Sequence, residues 1–278
     1  MVNVSLFVDF LCVYAFQPAT AFWRAVEVAA LRRYLPMTGT ILDLGCGDGK
    51  LTSIALGSFV NNLILVGIDS DADETSQAAR LGICHRVFTC PASRIPEDSA
   101  SFDAVISNSV LEHIEDIEET IAEVSRLLKH GGRFIFTVPG SDFHACLYGP
   151  LRHRASRQAY LDDMDKRLVH YRYWNLQQWQ ECLERYGMRV TAHEEYLRCA
   201  EVRRWEMISR FTAGIFYMVS GRKKTPFQIQ KTWGMRQLQN RFNLPRWAAW
   251  PMAKILSAGI SEKEEKYGCL LVDAHKES

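Results

Sequence analysis

Two carboxylates and three glycines carry the clearest chemical signal in this chain. Asp43 closes the apolar pair Ile41-Leu42 and leads into Gly45-Cys46-Gly47-Asp48-Gly49-Lys50, while Asp69 closes a second apolar run, Leu63 to Ile68. Glycines at alternate positions admit backbone conformations closed to residues with a Cβ and let the chain lie against a ligand. An acid about twenty residues beyond such a turn is placed to accept hydrogen bonds from ribose hydroxyls. Dinucleotide folds space their glycines G-x-G-x-x-G so that a pyrophosphate sits on a helix N-terminus. Gly45, Gly47 and Gly49 follow G-x-G-x-G instead.

The elements that must position these residues follow in order. Ile41 to Leu44 and Leu63 to Asp69 read as buried strands, Arg86 to Thr89 as a third, and Phe102 to Asn108 as a fourth continuing into Ser109-Val110-Leu111-Glu112-His113-Ile114. Apolar residues at Ile114, Ile117, Ile121, Val124, Leu127 and Leu128 recur every three or four positions, predicting an amphipathic helix. Gly131-Gly132 is expected to stop it, and Arg133 to Pro139 reads as the next strand. A helix from Trp174 through Tyr186, capped by Gly187, a sixth strand at Arg189 to Glu194 and a seventh at Cys269 to His275 would finish the sheet.

Over residues 35–140 the chain resembles the class I S-adenosylmethionine-dependent methyltransferases. The resemblance implies an α/β fold with a Rossmann-like, doubly wound, seven-stranded sheet, its last strand antiparallel. It implies S-adenosylmethionine as cofactor. Asp43 and the backbone at Gly45 and Gly47 would hold the methionine end, and Asp69 would accept from both ribose hydroxyls. Ser70 and Asp71 would brace the ribose or adenine rim, or start the next helix, which their residue types also favour. Members often carry an acid after the third strand, near the adenine amino group. Pro91 stands there in this chain, leaving the backbone N–H of Ala92 as the adenine contact. Asn108 falls at the floor of the methyl-transfer site, as a contact to the methionine group.

Methyl transfer from a sulfonium is an in-line displacement, so alignment and exclusion of water are the main tasks. A hydroxyl acceptor adds the need for a base, and histidine titrates in the useful range. His113, in the Leu-Glu-His-Ile context, and His170, directly before the helix opened by Trp174, are the catalytic candidates, with His144 beside them.

At 278 residues and 47% hydrophobic content the chain can bury a full core without being divided. It reads as one methyltransferase domain over 1–278: an N-terminal helical segment at 1–34, a cofactor-binding core at 35–140, and substrate-side insertions at 140–173 and 197–267. The apolar run Val4 to Phe16 is interrupted by Asp9, lacks a basic leader and is too short to span a bilayer. The eight cysteines show no C-x-x-C or zinc spacing and read as reduced thiols in a cytoplasmic protein. No metal site is expected.

The second insertion is unusual in charge. Between Arg198 and Arg246 eleven Lys and Arg face only Glu201 and Glu206, a local +9 in a chain whose total is +1. Trp205, Phe211, Phe216, Tyr217, Phe227, Trp233, Phe242, Trp247 and Trp250 are interleaved or follow directly. This pattern suits a small-molecule or lipid-linked acceptor, anionic or sugar-containing, and peripheral membrane contact through 198–260. Nucleic acid is the least favoured partner, since the chain is nearly neutral and carries no nucleic-acid module. The leading reading is O-methylation of such an acceptor. The alternatives are a non-catalytic S-adenosylmethionine-binding adaptor and an RNA methyltransferase.

Overall fold

The computed structural model describes residues 2–35, 37–151, 156–219, 243–261, 263 and 266–277. Phe227, Trp233 and Phe242, with most of the cations around them, lie outside the described residues. Seven strands form one sheet: β1 (Gly39–Leu44), β2 (Leu63–Asp69), β3 (Arg86–Thr89), β4 (Phe102–Asn108), β5 (Leu128–Pro139), β6 (Met188–Arg198) and β7 (Tyr267–Lys276), in the order β3-β2-β1-β4-β5-β7-β6. β1 pairs in parallel with both β2 and β4, β2 with β3, and β4 with β5, whereas β7 runs antiparallel to β5. The expected strand order in the chain and the antiparallel last strand are both present.

The described helices are α1 (Val4–Val13), α2 (Pro18–Leu31), α3 (Lys50–Leu56), α4 (Ala72–Leu81), α5 (Ile117–Leu127), α6 (Phe143–Cys146), α7 (Arg157–Leu168), α8 (Leu176–Glu184), α9 (Cys199–Phe211), α10 (Ala213–Val219) and α11 (Arg246–Ser257). The chain divides into two compact units. The first comprises residues 1–29, 142–170 and 197–268; the second comprises 30–141, 171–196 and 269–278.

The second unit contains most of the sheet. β1, β2 and β4 are apolar on both faces because helices cover both, as parallel strands require. α5 buries Ile117, Ile121, Val124 and Leu127, the residues its periodicity selects. Its end differs from expectation. The helix stops at Leu127, and Gly131-Gly132 lie inside β5. Phe102 pairs with Leu128 and Ala104 with Arg133, so the extra residues form a bulge, with Gly131 at φ 72°. α8 begins with a capping box in which Asn175 and Gln178 exchange hydrogen bonds. β6 runs on to Arg198, past its expected end.

In the first unit Trp23, Phe143 and Trp205 form an aromatic cluster with ring centroids 5.2 to 5.9 Å apart. Cys146 and Cys199 are joined by a disulfide across 53 residues. This corrects the reading of all eight cysteines as reduced, since no spacing rule could bring α6 against α9. The other six, among them Cys46, Cys84 and Cys182, form no disulfide.

Candidate functional site

In the second unit β1 is central, and the connections from β1 to β2 and from β3 to β4 lead to opposite sides of it. Ligands of doubly wound sheets bind beyond the C-terminal strand ends at this switch point. Asp43, at the end of β1, is 2% exposed and accepts a hydrogen bond from the Thr52 hydroxyl of α3. The chain then turns through three left-handed glycines, Gly45 at φ 79°, Gly47 at φ 52° and Gly49 at φ 77°. A Cβ on Gly45 would lie 2.4 Å from Val110, in the loop after β4, so that position is closed to any side chain. A Cβ on Gly47 would meet nothing nearer than the Glu74 carboxylate at 3.7 Å.

Backbone and carboxylate then lock the turn to β2. Gly45 N–H and Cys46 N–H both donate to the Ile68 carbonyl, at 2.9 and 2.8 Å. Gly47 N–H donates to Asp69 Oδ2 at 3.0 Å, and Asp71 N–H donates to Asp69 Oδ1 at 2.9 Å. Each carboxylate oxygen carries a second lone pair, so a half-buried Asp69 with one amide on each oxygen keeps acceptor capacity for two hydroxyls. Ser70 is exposed beside it, and Asp71 caps α4 by accepting from Asp73 and Glu74 N–H groups. The helix-starting reading of Asp71 therefore holds.

On the far side of the switch point, the turn after β3 is fixed from two directions. Cys90 N–H donates to the Asp69 carbonyl at 3.0 Å, and Ile95 N–H donates to Glu123 Oε1 at 2.7 Å. Arg126 also bonds Glu123 through two nitrogens, at 2.7 and 2.9 Å, and these bonds hold the Glu123 carboxyl below the ordinary carboxylate range. Ala92 sits half-buried within this braced turn, packed on the core. Asn108 is buried at the tip of β4. Its neighbours fasten that tip: the Ser107 hydroxyl donates to the Leu44 carbonyl at 3.1 Å, and Ser109 N–H donates to the Thr137 carbonyl at 2.9 Å. Ser109 itself adopts φ 50°, a strained conformation for a residue with a side chain.

The second unit thus brings Asp43, Gly45, Gly47, Asp69, Ser70, Ala92 and Asn108 to the C-terminal ends of its parallel strands. Sequence reasoning missed Thr52, which reaches Asp43 nine residues back, and Ser107, Ser109, Thr137 and Glu123, which are joined to Leu44, to each other and to Ile95 across 28 to 63 residues. Cys46 is inert by position, because burial pushes its thiol far above the ordinary range, as it pushes Cys84 up to about 12. Two surface concavities of this unit, over Trp174 and Gln178 and at the N-terminal ends of β4 and β5, lie away from the glycine turn.

His113 is exposed in the short turn after β4, with Nε2 3.9 Å from Glu112 Oε1. His170 belongs to the first unit, where its ring lies 6.2 Å from that of Phe143. His144, also in the first unit, has Nε2 2.7 Å from Asp165 Oδ1, a base-and-orienter arrangement. Glu206 of α9, wholly buried, accepts from Tyr148 N–H at 2.6 Å, Gly149 N–H at 3.3 Å, the Tyr160 hydroxyl and the Arg210 guanidinium. Burial and then Glu206 push the Tyr160 phenol up to about 12, so it remains a donor. The stretches 140–173 and 197–267 are thereby joined by one charged network.

A family model described as a methyltransferase domain matches residues 21–193. The chain is 36% identical over 115 residues to the mitochondrial ubiquinone biosynthesis O-methyltransferase of Homo sapiens, covering 37% of this chain and 29% of that protein. It is 32% identical over 119 residues to the tRNA (carboxymethyluridine(34)-5-O)-methyltransferase ALKBH8 of Macaca fascicularis, covering 40% and 16%. Either match therefore spans less than a third of the relative's own length. The phosphoethanolamine N-methyltransferase 2 of Haemonchus contortus, solved in complex with S-adenosyl-L-methionine, superimposes with a TM-score of 0.55 at 19% identity, covering 98% of this chain and 60% of that one.

Proposed function

From the premise that this chain belongs to the methyltransferase-domain family and takes S-adenosylmethionine as its cofactor, we propose that it O-methylates a small-molecule or lipid-linked acceptor. The observation that carries the cofactor assignment is Asp69, which ties the glycine turn to the start of α4 while keeping lone pairs for a ribose. In this reading the cofactor supplies an electrophilic methyl group. Asp43 and the backbone of Gly45 and Gly47 hold its methionine end, Asp69 and Ser70 its ribose, the Ala92 N–H its adenine, and Asn108 the floor beneath the methionine group.

The acceptor side rests on the insertions at 140–173 and 197–267. Their interleaved aromatics and the local charge of +9 support a lipophilic, anionic or sugar-bearing acceptor and peripheral contact with an anionic membrane through 198–260, while the near-neutral whole chain, with no nucleic-acid module, places RNA behind them. One of the two relatives is named as an O-methyltransferase of ubiquinone biosynthesis and the other as a tRNA methyltransferase, so RNA methylation is the second reading. A hydroxyl acceptor gives its proton to a histidine, His113 or His170, with the Asp165-oriented His144 as the third. Among the described residues no helix is long and apolar enough to cross a membrane. The cytoplasm is the proposed location, and the Cys146–Cys199 disulfide counts against it; thiol-alkylation mass spectrometry on cell extracts decides, recovery of the two thiols reduced supporting the cytoplasm and recovery of the bonded pair replacing it with an oxidising compartment.

The test is transfer of labelled methyl from S-adenosylmethionine to lipid, quinone-like and tRNA fractions in parallel. Label in an organic-phase product supports the reading, label in tRNA alone replaces it with the second, and cofactor binding with no transfer to any fraction favours the adaptor. For an active fraction, kcat–pH profiles of His113→Gln and His170→Gln identify the base, whose loss removes the acid limb of the profile.

A further inference from the structure

α11 inverts the usual arrangement of a surface helix. Such a helix buries large apolar residues and exposes small or polar ones. Here Ala249 and Ala253 are the buried residues, while Trp247 is 80% exposed, Trp250 54% and Ile255 71%. Trp247, Trp250, Pro251, Lys254 and Ile255 fall on one stripe, at helical spacings of three and four residues. The inner face is fixed within its own unit: α11 packs along α1, Arg246 pairs with Asp9, and Leu244 N–H donates to the Cys12 carbonyl at 2.9 Å. Asp9, the charge that interrupts the apolar N-terminal run, is thus a tether for this helix. Alanines allow the close approach to α1, and they leave the large side chains with no internal place to go.

The same unit carries a second stripe. Met207, Phe211, Ile215 and Met218, along α9 and α10, are each more than a third exposed. Arg204 of α9 donates to the Leu256 and Ala258 carbonyls at the end of α11, at 3.1 and 2.6 Å, so the stripes lie on helices that are directly joined. Exposed apolar area on this scale marks an interaction surface.

We propose that the outward face of α11 is an interfacial anchor that docks on an anionic bilayer. This sharpens the peripheral contact proposed above and rests on that part of the reading alone. Tryptophan favours the headgroup boundary, where the ring is sheltered and the indole N–H stays wet. Lys254 lies with Nζ 4.8 Å from the Trp250 ring centroid, which sets a cation at the depth of lipid phosphates. The sequence that leads into α11 is the +9 stretch ending at Arg246, whose charge complements an anionic leaflet and repels a second copy of itself. With twelve residues, α11 can lie in an interface and cannot span it.

The test uses the full chain with vesicles of phosphatidylcholine alone or mixed with phosphatidylserine, read by co-sedimentation and by quenching of tryptophan with brominated lipid. Wild type sediments with the anionic vesicles and is quenched. Trp247→Ala combined with Trp250→Ala lowers partitioning roughly tenfold or more, and Lys254→Gln lowers it by a smaller factor that vanishes at high salt. Calorimetric titration of S-adenosylmethionine into the same variants is unchanged, which shows that the fold persists and separates this inference from the methyl-transfer reading. Wild-type protein left in the supernatant with anionic vesicles overturns the proposal. So does equal partitioning of the tryptophan variant, or a lipid-independent dimer that the variant abolishes.

Discussion

At the glycine turn, polar groups find partners nearby: Thr52 reaches Asp43 across nine residues, Asp71 reaches Asp69 across two, and Gly47 reaches Asp69 across 22. In the first unit, Glu206 gathers, besides Arg210 four residues on, three donors 46 to 58 residues away, and the disulfide joins cysteines 53 residues apart. The two regions use the same chemistry, carboxylates receiving N–H and O–H donors, at different chain separations. The short-range site is written into contiguous motifs. The long-range one depends on helices that meet only when the chain has folded.

Substituting Glu206 gives the largest expected effect. Glu206→Ala leaves the Arg210 guanidinium and two backbone amides without their acceptor, and should lower the unfolding free energy by about 3–5 kcal/mol, measured by urea denaturation. Cofactor binding should be retained by the folded fraction; its loss would break the contrast between a self-sufficient turn and a dependent helical unit. Reduction of Cys146–Cys199, or Cys146→Ser, should cost about 2–4 kcal/mol in the same assay. An unchanged midpoint with and without reductant would show that the bond does not constrain the chain.

Asp69→Ala acts on the other region. Loss of charge-assisted acceptance should weaken S-adenosylmethionine binding by about 2–3 kcal/mol, roughly 30- to 150-fold, in calorimetric titration. A loss confined to a few-fold would move the ribose contact to another residue. The smallest effect is a pH dependence from Glu123. Its carboxyl lies below the ordinary range in the folded chain, so its contribution is complete above the unfolded carboxylate pKa and disappears as pH falls through the folded one. The urea midpoint of wild type should therefore fall more steeply between about pH 5 and pH 3 than that of Glu123→Gln. Equal slopes would remove Glu123 as the brace of the turn after β3.

Much of the second unit was legible before folding. A buried strand has its own apolar run, and α5 its own period, so β1, β2, β4, β5 and α5 follow from local pattern. The glycine turn is legible for a related reason, because positive φ leaves a residue-type signature that no partner is needed to read. Gly131-Gly132 were misread as a helix stop because a bulge and a C-cap ask for the same residue. Whether β5 begins at Leu128 depends on its neighbour β4.

By itself the sequence determined the order of the strands along the chain, the helices α5 and α8 that follow their own period, the cofactor class and the glycine turn, since each of these is carried by a local pattern. Only the tertiary structure decided that Cys146 meets Cys199, that Glu206 rather than a solvated charge binds the insertions together, and that α11 turns its alanines inward and its tryptophans outward. Each of those is a choice of which face meets which. An amphipathic pattern restricts that choice, but packing against a particular neighbour makes it, because burial free energy belongs to the pair of surfaces and not to either one.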